Sequence, residues 1–440
     1  MSESRARSEA GLPSGEGPGD SPTAGMHVLL LDTGAPSSPA VMRALKRAGA
    51  RVTVGARRGT QCTAAASRFC DGVAFHPPLD RGAEVLAFFR DLVRTRAIDV
   101  VLPILDDDLM ALAPYRRELE EVVPLALAPA ACVANALDKS ATVALACRSV
   151  EGLRVPITIA PAAAAEAVAP WAGRFPVIVK PRVGSGGRGM RMARDAAELE
   201  AVFALVDRDH PRPLVQERVE YGPGEKFVLL YLFDHRGELR SWYGQRVLLE
   251  SKSLRVGTGS ARARGGVALL WESHKDQALL QRGRLLLESL GWRGLAAIEC
   301  ARDRRDGHCY LFEINGRLDG TTSLALRQGP NFAHDACLVA LGRTPPLQLD
   351  FVAGRRARKS LFAMLEAMEP RAALAILDPR FPPPVPIRLD PAPVVREAAR
   401  LLRKRLPTGM GRASHRGAEA ETAPPSAAPA PAAASRQSRR

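Results

Sequence analysis

The sequence predicts an α/β fold followed by an α+β fold, with a doubly wound parallel sheet first and antiparallel sheets after it. Strand and helix patterns alternate at the start, with apolar strands at residues 27–31, 51–55 and 98–105. From about Asp138 the predicted strands come in pairs, and residues 234–237 form a turn between two of them. Alternation predicts parallel strands joined by helices, whereas paired strands predict hairpins.

Each element follows from a local pattern. After the first strand, helical spacing at Val41, Leu45 and Ala48 ends at Gly49, and a second helix is predicted around residues 85–93. The second half contains short apolar runs separated by turn residues, and one helical period that stops at a glycine. The predicted elements there are strands 175–181 and 214–217, hairpin 227–233 with 239–245, helix 277–290, and hairpin 296–300 with 309–314.

The composition limits the classes of partner. The chain has 440 residues, 46% of them hydrophobic, and a formal net charge of +15. Residues 401–440 hold eight Lys/Arg and two Asp/Glu, so much of this charge lies in the C-terminal tail. Because no basic stripe with interleaved aromatic residues is present, a nucleic-acid partner is not favoured. A nucleic-acid-associated protein using the basic C-terminal segment remains an alternative.

Composition shifts divide the chain into five parts. The predicted parts are a disordered tail at 1–25, an α/β domain at 26–130, an α+β domain at 131–345, an extension of unknown role at 346–407, and a disordered basic Pro/Ala-rich tail at 408–440.

The cysteines and the apolar runs predict where the protein resides. Seven scattered cysteines form no C-x-x-C pair, which predicts a reducing compartment and a cytoplasmic location. No run approaches the ~20 apolar residues of a membrane span, so no membrane partner is expected.

The strongest local motif is a strand that delivers Lys180 into a glycine-rich turn. The turn contains Gly184, Ser185, Gly186, Gly187 and Gly189. Glycine backbone N–H groups can approach an anion closely because no Cβ blocks them, which predicts phosphate binding. The lysine precedes the glycines, so this is not a Walker A motif. A flexible hairpin turn with an incidental lysine is the alternative.

A second motif places oxygen ligands on one strand face. Glu313 and Asn315 are two residues apart on a predicted strand and therefore point to the same side. Glu299 lies on the partner strand, and if the register places it beside Glu313, two carboxylates and an amide converge. Such hard oxygen ligands suit Mg²⁺. The alternative is a solvated strand face.

Weaker signals surround these two motifs. A strand ends in the residues Gln216, Glu217, Arg218 and Val219 and passes through a Gly/Pro turn to Glu225. This hinge suits an adenine edge, and Glu225 could accept hydrogen bonds from ribose hydroxyls, although surface carboxylates are the alternative. Lys139 follows Asp138 at the start of a predicted helix, where most lysines are solvated.

An acidic triplet, Asp106 to Asp108, follows the third predicted strand, where an α/β sheet places its ligand crevice. A helix N-cap is the favoured interpretation, and a carboxylate facing an amine substrate is the alternative.

In this order the motifs resemble the ATP-grasp superfamily, most closely its carbamoyl-phosphate-synthase-like branch of carboxylate-amine ligases. The resemblance covers about residues 26–345, and the N-terminal sheet is similar to the α/β domain that precedes the ATP-grasp domain in this family. The matching segments are LDKSATVAL (137–145), FPVIVKPRVGSGGRGM (175–190), LVQERVEYGPGEKF (214–227), AAIEC (296–300) and YLFEINGRLDGTTSLALRQG (310–329).

The resemblance implies a nucleotide site between two lobes. It assigns Lys139 and Lys180 to the phosphates, residues 184–189 to a closing loop, residues 216–219 to adenine, Glu225 to ribose, Glu299, Glu313 and Asn315 to one or two Mg²⁺ ions (with Mn²⁺ as an alternative), and Arg317 together with Lys180 to catalysis. One position departs from the family, because Gly316 stands where proline is usual between the Asn and the Arg. The sequence therefore does not determine the orientation of the Asn315 and Arg317 side chains.

The resemblance also implies an activity. The expected protein is an ATP- and Mg²⁺-dependent ligase that activates a carboxylate as an acyl phosphate, joins it to an amine, and releases ADP and phosphate. Its expected partners are small-molecule carboxylate and amine substrates, and a homodimer is left open. The alternatives are a nucleotide-binding protein without ligase activity and another ATP-grasp chemistry, such as carboxylation or phosphotransfer.

Overall fold

The computed structural model describes residues 25–31, 37–60, 62–149, 153–184, 187–263, 265–367 and 370–405. Residues 1–399 form one compact unit, and residues 400–440 are assigned to a second. The predicted tails lie outside the described residues except for Gly25, and the other domain boundaries stay predictions. No helix in the described ranges is long and apolar enough to cross a membrane.

Strands and helices are numbered here in chain order. The strands are β1 (His27–Leu31), β2 (Arg51–Arg57), β3 (Gly72–His76), β4 (Val100–Pro103), β5 (Leu153–Arg154), β6 (Thr158–Ile159), β7 (Val177–Lys180), β8 (Arg191–Ala193), β9 (Leu214–Glu217), β10 (Lys226–Phe233), β11 (Leu239–Glu250), β12 (Leu254–Val256), β13 (Arg262–Ala263), β14 (Ala268–Ser273), β15 (Gly294–Arg302), β16 (Cys309–Asn315) and β17 (Arg356–Arg358). The helices are α1 (Ser38–Arg47), α2 (Gly82–Arg96), α3 (Asp106–Leu112), α4 (Arg116–Glu120), α5 (Ala130–Leu137), α6 (Lys139–Ser149), α7 (Ala164–Val168), α8 (Ala196–Asp209), α9 (Gln277–Ser289), α10 (Ala325–Gln328), α11 (Phe332–Ala340), α12 (Leu361–Glu366), α13 (Pro370–Leu377) and α14 (Pro391–Arg405).

The first sheet is parallel, as predicted. Its order is β3-β2-β1-β4, and β1 pairs in parallel with both β2 and β4. All five residues of β1 are buried, because helices cover both faces of a doubly wound sheet. The sequence missed β3, a short edge strand with only partial burial and an exposed Phe75. Weak apolar alternation of this kind gives little signal in the sequence.

The second half is built on two largely antiparallel sheets, which confirms the α+β prediction. The smaller sheet has the order β13-β12-β8-β7-β9-β6 and packs Val177 and Val215 against Phe203 of α8 and against Trp171. Its one parallel pair is β8 with β12. Lys180 ends β7, so the strand carries it to the edge of this lobe.

The larger sheet has the order β17-β14-β11-β10-β15-β16-β5. Both predicted hairpins are present and longer than the sequence indicated, since β10 begins at Lys226 and β11 continues to Glu250. In the second hairpin Glu299 lies directly opposite Glu313. Strand β5 pairs in parallel with β16 at one edge, and β17 from the C-terminal extension forms the other edge.

The C-terminal extension also contacts the first sheet's half of the molecule. Asp390 accepts hydrogen bonds from Ser67 Oγ at 2.5 Å and from the Arg68 backbone N at 3.0 Å. The extension therefore joins a strand edge in one half of the compact unit to a loop in the other.

The packing of α9 on β10 gives a stability test. A Cβ added at Gly283 would lie 2.2 Å from Tyr231 Oη, which donates to Leu280 O at 2.9 Å. We expect Gly283→Ala to lower the free energy of unfolding by about 1–3 kcal/mol, because overpacking outweighs the better helix propensity of alanine. Urea unfolding measures this. Gly259→Ala is the matched control, since no atom lies within 4 Å of its added Cβ, and equal loss in both variants would contradict the packing argument.

Candidate functional site

The centre of the candidate site is a pair of facing carboxylates. Antiparallel pairing of β15 and β16 places Glu299 opposite Glu313. Asn315 follows on the same face, with its Nδ2 3.5 Å from Glu313 Oε1. Both glutamate side chains are largely buried, with 16% and 21% of their area exposed. Two like charges in such a place require cations nearby.

Three buried lysines supply those cations. Lys139 Nζ lies 3.7 Å from Glu313 Oε2 and donates to Gly184 O at 2.5 Å. Lys226 Nζ lies 3.0 Å from Glu299 Oε2 and 3.1 Å from Glu250 Oε1. The third, Lys180, is described below. Sequence reasoning missed Lys226, although a lysine at the start of the apolar run KFVLLYLF is the signal that could have found it.

Lys180 connects two predicted motifs. Its Nζ donates to Gln216 Oε1 at 2.8 Å, and Gln216 Nε2 donates to Thr158 Oγ1 at 2.7 Å. Burial, together with the charge of Lys139, lowers the pKa of Lys180 to about 7, against the opposing effect of Glu313. The charge of Lys180 is therefore sensitive to any anion that enters the site.

The pKa values of Glu299 and Glu313 are shifted in opposite directions. Burial raises the pKa of Glu299 above its usual range, an effect that the charge of Lys226 opposes and that of Glu313 reinforces. Burial alone would also raise the pKa of Glu313. The charges of Lys139 and Lys180 outweigh it and hold that pKa below the ordinary value. The lysines beside Glu313 therefore favour its ionised form.

Arg317 pairs with Asp106, the first residue of α3. Its Nε donates to Asp106 Oδ1 at 2.8 Å and its Nη2 to Asp106 Oδ2 at 2.5 Å, a bidentate pair. Nη2 also lies 3.2 Å from Asn315 Oδ1. These contacts fix the guanidinium from both sides, so its placement does not depend on a proline before it. A Cβ at Gly316 would meet its nearest atoms at 3.7 Å, which is ordinary contact.

The acidic triplet thus has a different role from those expected. The residue before α3 is Leu105, and no side chain caps the helix. Asp107 instead accepts from Arg188 Nη2 of the glycine-rich turn at 2.8 and 3.0 Å. The first two carboxylates of the triplet bind arginines from the second half, rather than a helix end or an open crevice.

The glycine-rich turn follows β7 and adopts conformations that favour glycine. Gly184, Gly187 and Gly189 have φ values of +140°, +70° and +77°. Ser185 and Gly186 lie outside the described residues. Asp138 fixes the approach to this turn by accepting a bidentate pair from Arg182, so that Lys139 lies beside Gly184. A narrow cavity is lined by Asp106, Lys139, Gly184, Glu313 and Asn315, among others.

Of the predicted hinge, residues 216–219, only Gln216 contacts a lysine of the site. Gln216 reaches Lys180, whereas Glu217 Oε1 accepts from Arg305 at 2.8 Å and the Arg218 carbonyl lies 3.4 Å from the same guanidinium. Val219 packs in a small apolar cluster.

Glu225 lies beyond the hinge, where it accepts from Arg304 Nε at 2.5 Å and from Gly222 N at 2.6 Å. The roles proposed for residues 216–219 and for Glu225 stay predictions.

The donor set fits a hard divalent cation. Among the described residues no group of three or more His, Cys, Asp or Glu side chains could hold a metal ion. Glu313 and Asn315 on one strand face, with Glu299 opposite, nevertheless provide two carboxylates and an amide oxygen, the ligand types that Mg²⁺ takes. The remaining ligands of such an ion would come from substrate phosphates and water.

The two neighbouring aspartates allow a matched stability test. The Asp106–Arg317 pair is buried, with 5% and 12% of the side chains exposed, whereas Asp107 and Arg188 are 50% and 63% exposed. We expect Asp106→Ala to cost about 3–5 kcal/mol of unfolding free energy because it leaves a buried guanidinium unpaired. Asp107→Ala should cost less than about 1 kcal/mol. Guanidinium unfolding of both variants measures the difference, and similar losses would contradict the arrangement.

Comparison with known proteins agrees with this geometry. Residues 138–216 match the family model described as the carbamoyl-phosphate synthase L chain, ATP binding domain. A comparison with curated proteins finds no sequence match.

Solved structures share the fold. The biotin carboxylase–β,γ-ATP complex from Campylobacter jejuni is 14% identical, covers 73% of this chain and 72% of its own, and has a TM-score of 0.58. The biotin carboxylase domain dimer of Hydrogenobacter thermophilus 2-oxoglutarate carboxylase, with MgADP, ADP and bicarbonate, is 15% identical over 72% and 70%, with a TM-score of 0.57. L-amino acid ligase from Bacillus licheniformis is 16% identical over 73% and 77%, with a TM-score of 0.52.

The family match falls on the segment that carries Lys139, Lys180 and the glycine-rich turn, and the fold extends well beyond it on both sides. These two findings support the resemblance to the carbamoyl-phosphate synthase ATP-binding domain over residues 138–216 and show a fold shared with the solved structures.

Proposed function

We propose that the protein is an ATP- and Mg²⁺-dependent ligase that joins a carboxylate to an amine through an acyl phosphate. The observation that carries the proposal is the convergence of Lys139, Lys180 and Arg317 on the strand face of Glu313 and Asn315. In the proposed reaction a carboxylate oxygen attacks the γ-phosphorus and ADP leaves. The amine then attacks the acyl carbon, phosphate leaves, and one proton is lost from nitrogen.

The need for so many cations follows from charge. ATP brings about four negative charges and the acid brings another, so the two repel each other until positive groups surround the transferred phosphoryl. In this proposal Lys139, from α6, and Lys180, from β7, contact phosphate oxygens, and backbone N–H groups of the glycine-rich turn add donors. Arg317, fixed by Asp106, would face the phosphoryl and the acyl phosphate.

Glu299, Glu313 and Asn315 would hold one or two Mg²⁺ ions, which supply further neutralisation of the phosphates when bound. Lys226 has a separate role in this proposal. It forms ion pairs with Glu299 and Glu250. Its charge therefore reduces the repulsion between Glu299 and Glu313.

The nucleotide base and sugar would lie at the hinge. Residues 216 and 217 end β9 and residues 218 and 219 follow it. We assign the adenine edge to this hinge, and Glu225 would accept from ribose hydroxyls after leaving Arg304. The related structures named above contain an ATP analogue and MgADP, which supports a nucleotide in this lobe. The proposed substrates are a small-molecule acid and a small-molecule amine. The proposed location is the cytoplasm, because the cysteine pattern of the sequence predicts a reducing compartment.

An assay with a library of acids tests the ligase proposal. With Mg-ATP, amino acids and small carboxylic acids should include members that provoke ADP release, and hydroxylamine should intercept the acyl phosphate as a hydroxamate. Lys180→Ala should remove both signals, since its charge matters most as the phosphoryl transfers. Lys46→Ala, which removes a partly exposed lysine of helix α1 that pairs with Asp71, is the control.

Three outcomes separate the alternatives. Saturable ATP binding without acid-dependent ADP and without hydroxamate would indicate a nucleotide-binding protein and overturn the ligase. Bicarbonate as the one active acid would indicate carboxylation. ADP release with a stable phosphorylated product and no hydroxamate would indicate phosphotransfer.

The low pKa of Lys180 predicts a pH dependence of nucleotide affinity. In the free protein Lys180 loses its proton as the pH rises through about 7, and an anion binds the charged form. Affinity for ATP should therefore fall as the pH rises from 7 to 9, by up to about tenfold per pH unit. Lys180→Arg keeps its charge throughout this range and should flatten the profile. Titrations with a fluorescent ATP analogue measure it, and parallel profiles for the two proteins would refute the assignment.

A further inference from the structure

We propose that Lys359, which the C-terminal extension carries into the site, binds the carboxylate of the acid substrate. This inference rests on the proposed ligase function and names a residue outside the segment that resembles the family, which ends near residue 345. Neither the motifs nor the sequence of the extension suggested such a role.

The extension is built firmly into the larger sheet. Strand β17 pairs with β14 so that Ala357 lies opposite Trp271, and Lys359 N continues the ladder by donating to Leu269 O at 2.9 Å. Arg356 Nε donates to Glu272 Oε2 at 2.6 Å. The backbone at Lys359 is therefore fixed by strand pairing rather than by a free loop.

The Lys359 side chain is buried and poorly paired. Only 8% of the residue is exposed, and Nζ donates to one acceptor, Gly320 O, at 3.2 Å. Within the described residues it forms no ion pair with a carboxylate, although Asp319 and Glu299 are close enough to act on its charge, as is Arg317. An ammonium group has three donors, so two of them have no acceptor in the described part of the chain.

The lysine lies against the segment that follows Arg317. A Cβ at Gly320 would come within 2.7 Å of Nζ, so the absence of a side chain at this position lets the ammonium approach. Asp319 Oδ1 is already engaged by Thr321 N and Oγ1 at 2.6 and 2.5 Å. The cationic group thus contacts Gly320, which follows Arg317 by three positions in the sequence, and it forms no ion pair with a carboxylate of the described residues.

Polar groups on the segment that follows Gly320, and on Gln245, which contacts that segment, are also unsatisfied. Gln245 is fully buried, and its Nε2 donates to Thr321 Oγ1 at 2.9 Å, but its Oε1 has no partner in the described residues. The buried hydroxyls of Thr322 and Ser323 likewise lack partners there. Buried polar groups normally find partners, and a cluster of exceptions beside a site is typical of a place that a ligand completes.

The charges favour a carboxylate over a phosphate at this position. The phosphates already have Lys139, Lys180 and the glycine-rich turn at the other end of the cluster. Near Lys359 the negative charges of Asp319 and Glu299 would repel a multiply charged anion. One ammonium with hydroxyl donors matches the single charge and two oxygens of a carboxylate.

The test compares Lys359→Met with a matched control, Lys275→Met, which removes an exposed lysine that follows β14 and pairs with Asp350. The acid that gives the fastest hydroxamate formation in a panel of the twenty L-amino acids and simple mono- and dicarboxylic acids serves as the probe. Lys359→Met should raise the KM for that acid about ten- to a hundredfold, the range expected for a lost charged hydrogen bond. The KM values for ATP and hydroxylamine should change less than about twofold, and Lys275→Met should resemble the wild type.

A second variant keeps the ammonium group of Lys359 but displaces it. Gly320→Ala places a methyl group against Nζ and should raise the KM for the acid by a smaller factor while leaving ATP affinity unchanged. This variant decides the question if Lys359→Met does not fold. An unchanged KM for the acid in both variants, or an increase in the KM for ATP or for hydroxylamine in place of the acid, would overturn the proposal.

Failure of the ligase function is distinguishable from failure of this inference. If the wild type releases no ADP with any acid, the ligase proposal fails. Thermal stability in the presence of ADP, Mg²⁺ and each acid then decides on Lys359, because it requires no turnover. An acid that stabilises the wild type and Lys275→Met but not Lys359→Met supports the carboxylate site, and equal stabilisation of all three proteins, or of none, contradicts it.

Discussion

The repulsion between Glu299 and Glu313 is the constraint on which the rest of the site depends. Strand pairing fixes the two carboxylates opposite each other in a largely buried place. The chain compensates with lysines from three different elements, Lys139 from α6, Lys180 from β7 and Lys226 from β10. These lysines bring positive charge to a place where two buried carboxylates would otherwise face each other uncompensated.

The first half of the chain contributes two aspartates of helix α3 to the site. Asp106 stands at the start of α3 and holds the Arg317 guanidinium in two parallel hydrogen bonds. Asp107, one residue further, holds Arg188 from the glycine-rich turn. The parallel sheet therefore acts as a support that sets the position of an arginine and of a loop belonging to the second half. This support also explains how Gly316 is accommodated, since the arginine is aimed by its partners.

The extension after residue 345 also supports the site, from one edge of the larger sheet. It completes the sheet with β17, contacts the first half through Asp390, and sends Lys359 toward the segment that follows Arg317. A region that looked like an accessory tail is thus part of the structure around the site. The motifs recognised in the sequence lie before residue 345, whereas Lys359 comes from the extension that follows them.

The sequence by itself determined the fold class, the order of the sheets and the local chemistry of each motif. Period-two and helical patterns are set by neighbouring residues, so they survive in the sequence, and the turn at residues 303–307 was enough to predict the hairpin that carries Glu299 and Glu313. Only the tertiary structure decided which groups meet. Asp106 and Arg317 are 211 residues apart, and Lys226 and Lys359 look like any other lysine at a strand end. Long-range ion pairs depend on how separate elements pack and on how much water they exclude, and neither quantity is written in a local pattern.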